Sequence, residues 1–207
     1  RHGWEVAPES IFTTHGLVNG TALAVHSFTQ PGDAVILMTP VYHAFARIIK
    51  AAGREVLECP LTLEGSTARL DIEAWENQLT GREKMLILCS PHNPGGCVWT
   101  AEDLRATADF CKRHDLILVS DEIHHDLVYP GQKHHVMANA APDIADRLVM
   151  MTATTKTFNI AVANDEGIHS TFDDCKISLL RQFALHGLTI KFAISLGARP
   201  AHGRAFA

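Results

Sequence analysis

The chain has 207 residues, enough for one substantial core or two small ones, and its 46% hydrophobic and 20% charged content is that of a soluble globular protein. A formal net charge of −5 without any basic run offers no electrostatic footprint for nucleic acid or an anionic membrane surface. No apolar stretch approaches the ~18 residues that span a bilayer.

The opening, RHGWEVAPES, has neither an initiator Met nor an apolar signal region, and reads as a chain entered partway through. A strand over 10–14 leads through Gly16 into a helix over 17–28, which stops before the turn Gln30-Pro31-Gly32-Asp33. The apolar run 34–38 predicts a strand, and 42–52 a helix with Gly53 as its C-terminal stop. A strand over 55–59 follows, then a helix over 72–79 capped by Asp71. After the strand 85–89, Thr100 opens a helix through 114, with Asp103 placed three residues on for a capping box. Strands over 116–120 and 148–151 complete the series. Most of these strands are apolar throughout, the pattern of strands buried on both faces, and their alternation with helices predicts an α/β fold with a largely parallel sheet.

The five cysteines form no CxxC pair, which favours reduced thiols in a cytosolic protein over a disulfide framework. Asn19-Gly20-Thr21 matches a glycosylation sequon, which without a secretory context reads as chance. The thirteen histidines include the pairs His124-His125 and His134-His135, but no cysteine lies close to either. No metal is expected, and most of the histidines read as surface or structural residues.

In a parallel α/β sheet, ligands bind beyond the carboxyl ends of the strands. The residues there are His15 to Val18, Thr39 to Tyr42, Ser90 to Gly96, Asp121 to His124, and Thr152 to Lys156. The stretch TATTKTFN poses the sharpest question, because four small residues separate an apolar strand from Lys156. A lysine in a loop is ordinarily solvated. One held in a cleft serves as a nucleophile or Schiff-base partner. Together with one aromatic and one acid, it suits a phosphorylated aromatic cofactor that bonds to an amine. The turn THGLVNGTA lacks GxGxxG, which argues against a dinucleotide.

Four motifs in order, PGDAVILMTPVYHAF, SPHNPGG, VSDEIHHDL and TKTFNIA, resemble those of fold-type I pyridoxal-phosphate enzymes, and within them the aminotransferase-like cystathionine β-lyases of the MalY/PatB group. Their separations fit as well, with 28 residues from Asn93 to Asp121 and 35 from Asp121 to Lys156. The resemblance covers residues 1–161 and implies a three-layer α/β/α large domain, here incomplete, that binds pyridoxal 5'-phosphate.

It also implies roles. Lys156 would form the Schiff base and then remove the substrate's Cα proton. Asp121 would face the pyridinium nitrogen, Tyr42 would stack on the ring, and Asn93 and His124 would approach its phenolic oxygen. Gly16, Leu17 and Val18 would open a helix toward the phosphate, with Thr155 adding a hydroxyl. From the residues alone, Asp121 also fits a helix N-cap, NPGG an ordinary turn, and Tyr42 and His124 packing positions.

The chain departs from the family pattern at Ala153, where relatives have Ser, leaving Thr152 or Thr154 to substitute. Residues 162–207 match nothing, the family's small domain is absent, and Arg181, Arg199 and Arg204 sit in no recognisable carboxylate-binding motif. The implied function is a C–S β-lyase acting on a small amino acid as a cytoplasmic homodimer. The alternatives are a class I/II aminotransferase, and a catalytically impaired fragment or non-catalytic cofactor-binding protein.

Overall fold

The computed structural model describes residues 2–14, 16–65 and 67–158, together with the backbone of Ala193–Leu196. Among these residues the strands are β1 (Ile11–Phe12), β2 (Ala34–Thr39), β3 (Glu55–Pro60), β4 (Thr62–Glu64), β5 (Thr67–Arg69), β6 (Glu83–Cys89), β7 (Ile117–Asp121), β8 (Leu148–Thr152) and β9 (Ala193–Leu196). Seven of them form one sheet in the order β1-β9-β8-β7-β6-β2-β3, and β4 and β5 pair as a separate hairpin. The block from β8 to β3 is parallel, so its strands end on one edge. β9 runs antiparallel between β8 and β1, and lies in the segment expected to match nothing. The rest of the expectation for 162–207 lies outside the described residues.

Side-chain alternation splits the core between the two faces of the sheet. On one face Ile36, Met38, Leu86, Leu88, Leu118, Leu148 and Met150 pack against Leu104, Ala108, Phe110 and Cys111 of α4 (Ala101–Arg113), together with Trp75 and Trp99. On the other, Val35, Leu37, Met85, Ile87, Val119, Val149 and Met151 meet Ala24 and Val25 of α1 (Leu17–Phe28) and Phe45 and Ile49 of α2 (His43–Ala51). The result is the three-layer α/β/α arrangement that the sequence implies.

Local signals explain most boundaries. Thr100 and Asp103 form the capping box of α4, the Thr100 hydroxyl accepting from the Asp103 N–H and the Asp103 carboxylate from the Thr100 N–H. Asp71 accepts from the Ala74 N–H, but the helix it starts, α3 (Ile72–Glu76), is shorter than 72–79. Gly53 ends α2 with φ +73°, a left-handed conformation that a Cβ disfavours. Two strands differ from expectation. β3 lies at one edge of the sheet with half of its residues exposed, and β1 keeps only two of residues 10–14. The β4–β5 hairpin and the short helices α5 (Met137–Ala140) and α6 (Thr154–Thr157) carry no strong periodicity and were not expected.

Arg54, 7% exposed, joins α1 to the start of β3. Its Nε donates to the Thr29 hydroxyl at 2.9 Å, its Nη2 to the Thr29 carbonyl at 2.7 Å, and its Nη1 to the Ala52 carbonyl. Arg54→Met strips donors from these buried acceptors. It lowers the urea midpoint with an unchanged m-value, corresponding to a loss of about 2 kcal/mol.

Candidate functional site at the carboxyl edge of the sheet

β6, β7 and β8 end in register, Cys89 opposite Asp121 and Asp121 opposite Met151. The ladder continues one step past the strands, where Ser90 N–H donates to the Asp121 carbonyl and Glu122 N–H to the Met151 carbonyl, at 2.9 and 2.8 Å. Asp121 is thereby fixed on the middle strand, between the turn that carries Asn93 and the turn that carries Lys156.

Asp121 follows Val119 onto the α1 face. Its carboxyl is nearly buried and, among the described residues, accepts one hydrogen bond, from the Ile123 N–H at 3.1 Å. Burial pushes its pKa up to about 7; the Ile123 N–H opposes this, Glu122 adds to it, and the Lys156 charge offsets part. Its neighbour Cys89 is also raised by burial, to about 12, so this thiol stays protonated.

Lys156 sits in α6, and its charge acts on both Asp121 and His124, which places the three in one electrostatic set. Lys156 is exposed, and the described residues do not enclose it in a cleft. His124 is half-buried, and burial holds its pKa below the ordinary imidazole value, with Lys156 and His125 adding to the effect. Thr155 is half-buried and its hydroxyl has no partner among the described residues. Of the two threonines beside Ala153, Thr152 is engaged with His125 Nδ1 at 3.0 Å, whereas the Thr154 hydroxyl is buried without a partner among the described residues.

Gly16 is the N-cap of α1, with φ +79° and no side chain to cap the helix, which leaves first-turn N–H groups such as those of Leu17 and Val18 open. Tyr42 is the N-cap of α2 and is half-buried against the same face, with Phe45 edge-on at 5.6 Å. Asn93 is half-buried in the turn after β6. That turn is rigidly packed: His92 Nε2 donates to the Pro40 carbonyl at 2.8 Å, and Trp99 Nε1 to the Cys89 carbonyl at 2.9 Å. A Cβ at position 95 would stand 2.9 Å from His92 Cδ2, so any other residue there would displace the buried His92 ring.

The structure adds residues that sequence patterns did not single out. Glu122 is fully buried on the α5 side, accepting from the Ser120 hydroxyl, His134 Nε2 and the Met137 N–H at 2.9, 2.8 and 3.0 Å. His125 and Asp126 reach the lysine turn from the loop after β7. His125 meets Thr152, and Asp126 accepts from the Thr157 hydroxyl at 2.9 Å. His2 joins them, its Nε2 2.8 Å from Asp126 Oδ1. The doubled histidines of the sequence hint at this cluster, but residues 124 apart in sequence have no spacing signal.

The fold and site can be set beside known proteins. Residues 1–163 match the family model for aminotransferase class I and II. Over 162 residues the chain is 43% identical to cystathionine beta-lyase PatB of Bacillus subtilis, covering 78% of this chain and 42% of that protein. It is 34% identical over 164 residues to kynurenine–oxoglutarate transaminase 3 of Rattus norvegicus, covering 73% of this chain and 35% of that one. Among solved structures, cystalysin from Treponema denticola, which contains a pyridoxal 5'-phosphate cofactor, superposes with a TM-score of 0.75 at 36% identity, over 86% of this chain and 47% of that one. The chain thus spans less than half the length of each of these relatives. It belongs to the class I and II aminotransferase family.

Proposed function

We propose that residues 1–161 form the cofactor-binding part of a pyridoxal-phosphate-dependent C–S β-lyase. It would cleave the Cβ–S bond of a small sulfur amino acid such as cystathionine, with release of pyruvate, ammonia and a thiol. The observation that carries this reading is the grouping of Lys156, Asp121 and His124 at the ends of adjacent strands. The relation to PatB supplies the reaction.

The residues fit the cofactor. Among the described residues the nearly buried Asp121 carboxylate has one backbone donor and no ion pair, a place that a protonated pyridine nitrogen fills. The buried, unpartnered Thr154 hydroxyl and the uncapped start of α1 suit phosphate oxygens. When bound, the cofactor supplies a carbonyl that condenses with amines and a ring that accepts the electrons of the Cα–H bond.

The chain's own residues do the rest. Lys156 would hold the cofactor through its amine and would take the substrate's Cα proton. Asp121 would keep the ring nitrogen protonated, and Tyr42 would exclude water from the ring. Asn93 and His124 would bind the phenolic oxygen, and Leu17, Val18, Thr154 and Thr155 would hold the phosphate. Exposed Val18, Leu23 and Phe158 lie on the elements bearing these groups, which supports a homodimer that covers the site. Four free cysteines among the described residues accord with a reducing, cytosolic setting. Among the described residues no helix is long and apolar enough to cross a membrane. Aminotransfer is the second reading, favoured by the transaminase relative, since the same residues serve every step through Cα deprotonation.

Pyridoxal phosphate added to the purified chain is expected to give a visible absorbance band that survives desalting and is absent from Lys156→Ala. Pyruvate release from cystathionine is expected to fall by at least about 10²-fold in that variant. Amino transfer to a 2-oxo acid without pyruvate would select the aminotransferase instead. A folded chain that retains no band is a non-catalytic or impaired member of the family.

A second expectation concerns pH. With its pKa raised from 3.8 to about 7, Asp121 binds a proton in the folded chain that the unfolded chain has released between those values. Stability of the cofactor-free chain therefore falls as pH rises from about 4 to about 7. The charged and titratable groups acting on Asp121 or acted on by it are Glu122, Lys156 and Cys89, and only Lys156 opposes the effect. Urea denaturation at several pH values is expected to show this slope, and Asp121→Asn or bound cofactor to flatten it.

A further inference from the structure

Behind the lysine turn, three side chains from two distant parts of the chain lie close together. His2 Nε2 lies 2.8 Å from Asp126 Oδ1, His125 Nε2 lies 3.2 Å from Asp126 Oδ2, and the three ligand atoms all fall within 4.8 Å of one another. They border a cavity of about 460 Å³, which His134 also lines, with exposed Gln132 and Lys133 at its solvent side.

The tautomer of His125 makes this cluster more than a hydrogen-bonded triad. Its Nδ1 stands 2.6 Å from the Glu122 carbonyl, which can only accept, so Nδ1 carries the hydrogen. In the neutral ring, Nε2 is then the nitrogen without a hydrogen, 3.2 Å from Asp126 Oδ2. An Nδ1–H held by a backbone carbonyl is also how a metal-binding histidine is oriented by its surroundings. A second observation points the same way. His134 is 5% exposed, its Nε2 is committed to Glu122 Oε2 at 2.8 Å, and its Nδ1 is buried without a partner beside the same cavity.

We propose that His2, His125 and Asp126 bind a divalent first-row transition ion, with zinc the representative case and the remaining positions open to water from the cavity. Two imidazoles and a carboxylate are the donor set such ions take, leaving a coordination position free. Bonds of about 2.0–2.2 Å place ligand atoms roughly 3.3 Å apart, so the His2–Asp126 pair at 2.8 Å opens, and any pair near the 4.8 Å limit closes, as the ion enters. The expectation of no metal rested on the lack of nearby cysteines. Here the ligands come instead from the start of the chain and the loop after β7. The site is independent of pyridoxal phosphate, and its failure leaves the proposed lyase untouched.

The test uses the whole chain, prepared without a histidine tag and without pyridoxal phosphate. Zinc is counted after equilibrium dialysis, and cobalt(II) is titrated as a spectroscopic probe. The expected result is one ion per chain, with visible cobalt bands and no thiolate-to-cobalt charge transfer. His2→Ala, His125→Ala and Asp126→Asn should each weaken binding by at least about tenfold, while His26→Ala, on the surface of α1, binds normally. Circular dichroism identifies any variant that fails to fold, and the remaining variants then decide. No stoichiometric ion in the folded chain overturns the proposal, as does binding that survives the ligand substitutions; a proton on His125 Nε2 then fills the place of the ion.

Discussion

The parallel ladder that joins β6, β7 and β8 is the constraint on which the site depends. Its register sets Cys89, Asp121 and Met151 side by side, and the next hydrogen bonds, from Ser90 and Glu122, carry the alignment into the turns. Because backbone pairing fixes these positions, each turn starts from a defined point. The Asn93 and Lys156 turns flank Asp121 for the same reason. The apolar content of β6, β7 and β8, packed on both faces, makes the register hard to slip, since a one-residue shift would exchange the two faces.

That alternation also separates two adjacent acids. Asp121 points to the α1 face and Glu122 is buried on the α5 side, and the surroundings treat them differently. Glu122 receives three donors and is a satisfied structural carboxylate that ties α5 and His134 to β7. Asp121 receives one, and burial raises its pKa to about 7. The contrast separates a carboxylate that completes the fold from one left, among the described residues, with a single backbone donor, and it can be drawn without reference to any relative.

The order of the elements and the carboxyl-edge residues were legible because they rest on local rules. The capping box of Thr100 and Asp103, the left-handed Gly53 and the apolar runs of β2, β6, β7 and β8 all declare themselves within a few residues. Position 95 was visible as a glycine, but its reason, the approach of His92, needs the folded turn. Glu122, Arg54 and the His2–His125–Asp126 cluster were not legible, since their partners lie far away in sequence. The edge status of β3 was hidden for a related reason: which strand ends a sheet is a matter of tertiary order, and its composition alone reads as a buried strand.

The six residues from Asp121 to Asp126 show how much one turn can be asked to do. Asp121 and His124 share the field of Lys156, and Glu122 holds the opposite face. His125 and Asp126 then hydrogen-bond to Thr152 and Thr157, one on either side of the lysine. A four-residue helix has little stability of its own. Contacts on both flanks therefore set where the Lys156 backbone sits relative to Asp121, even though the amine itself is exposed. The end of β7 thus supplies an acid to the candidate site, and the turn after it positions the segment that carries the amine. This explains why chemistry and packing cannot be assigned to separate parts of this chain.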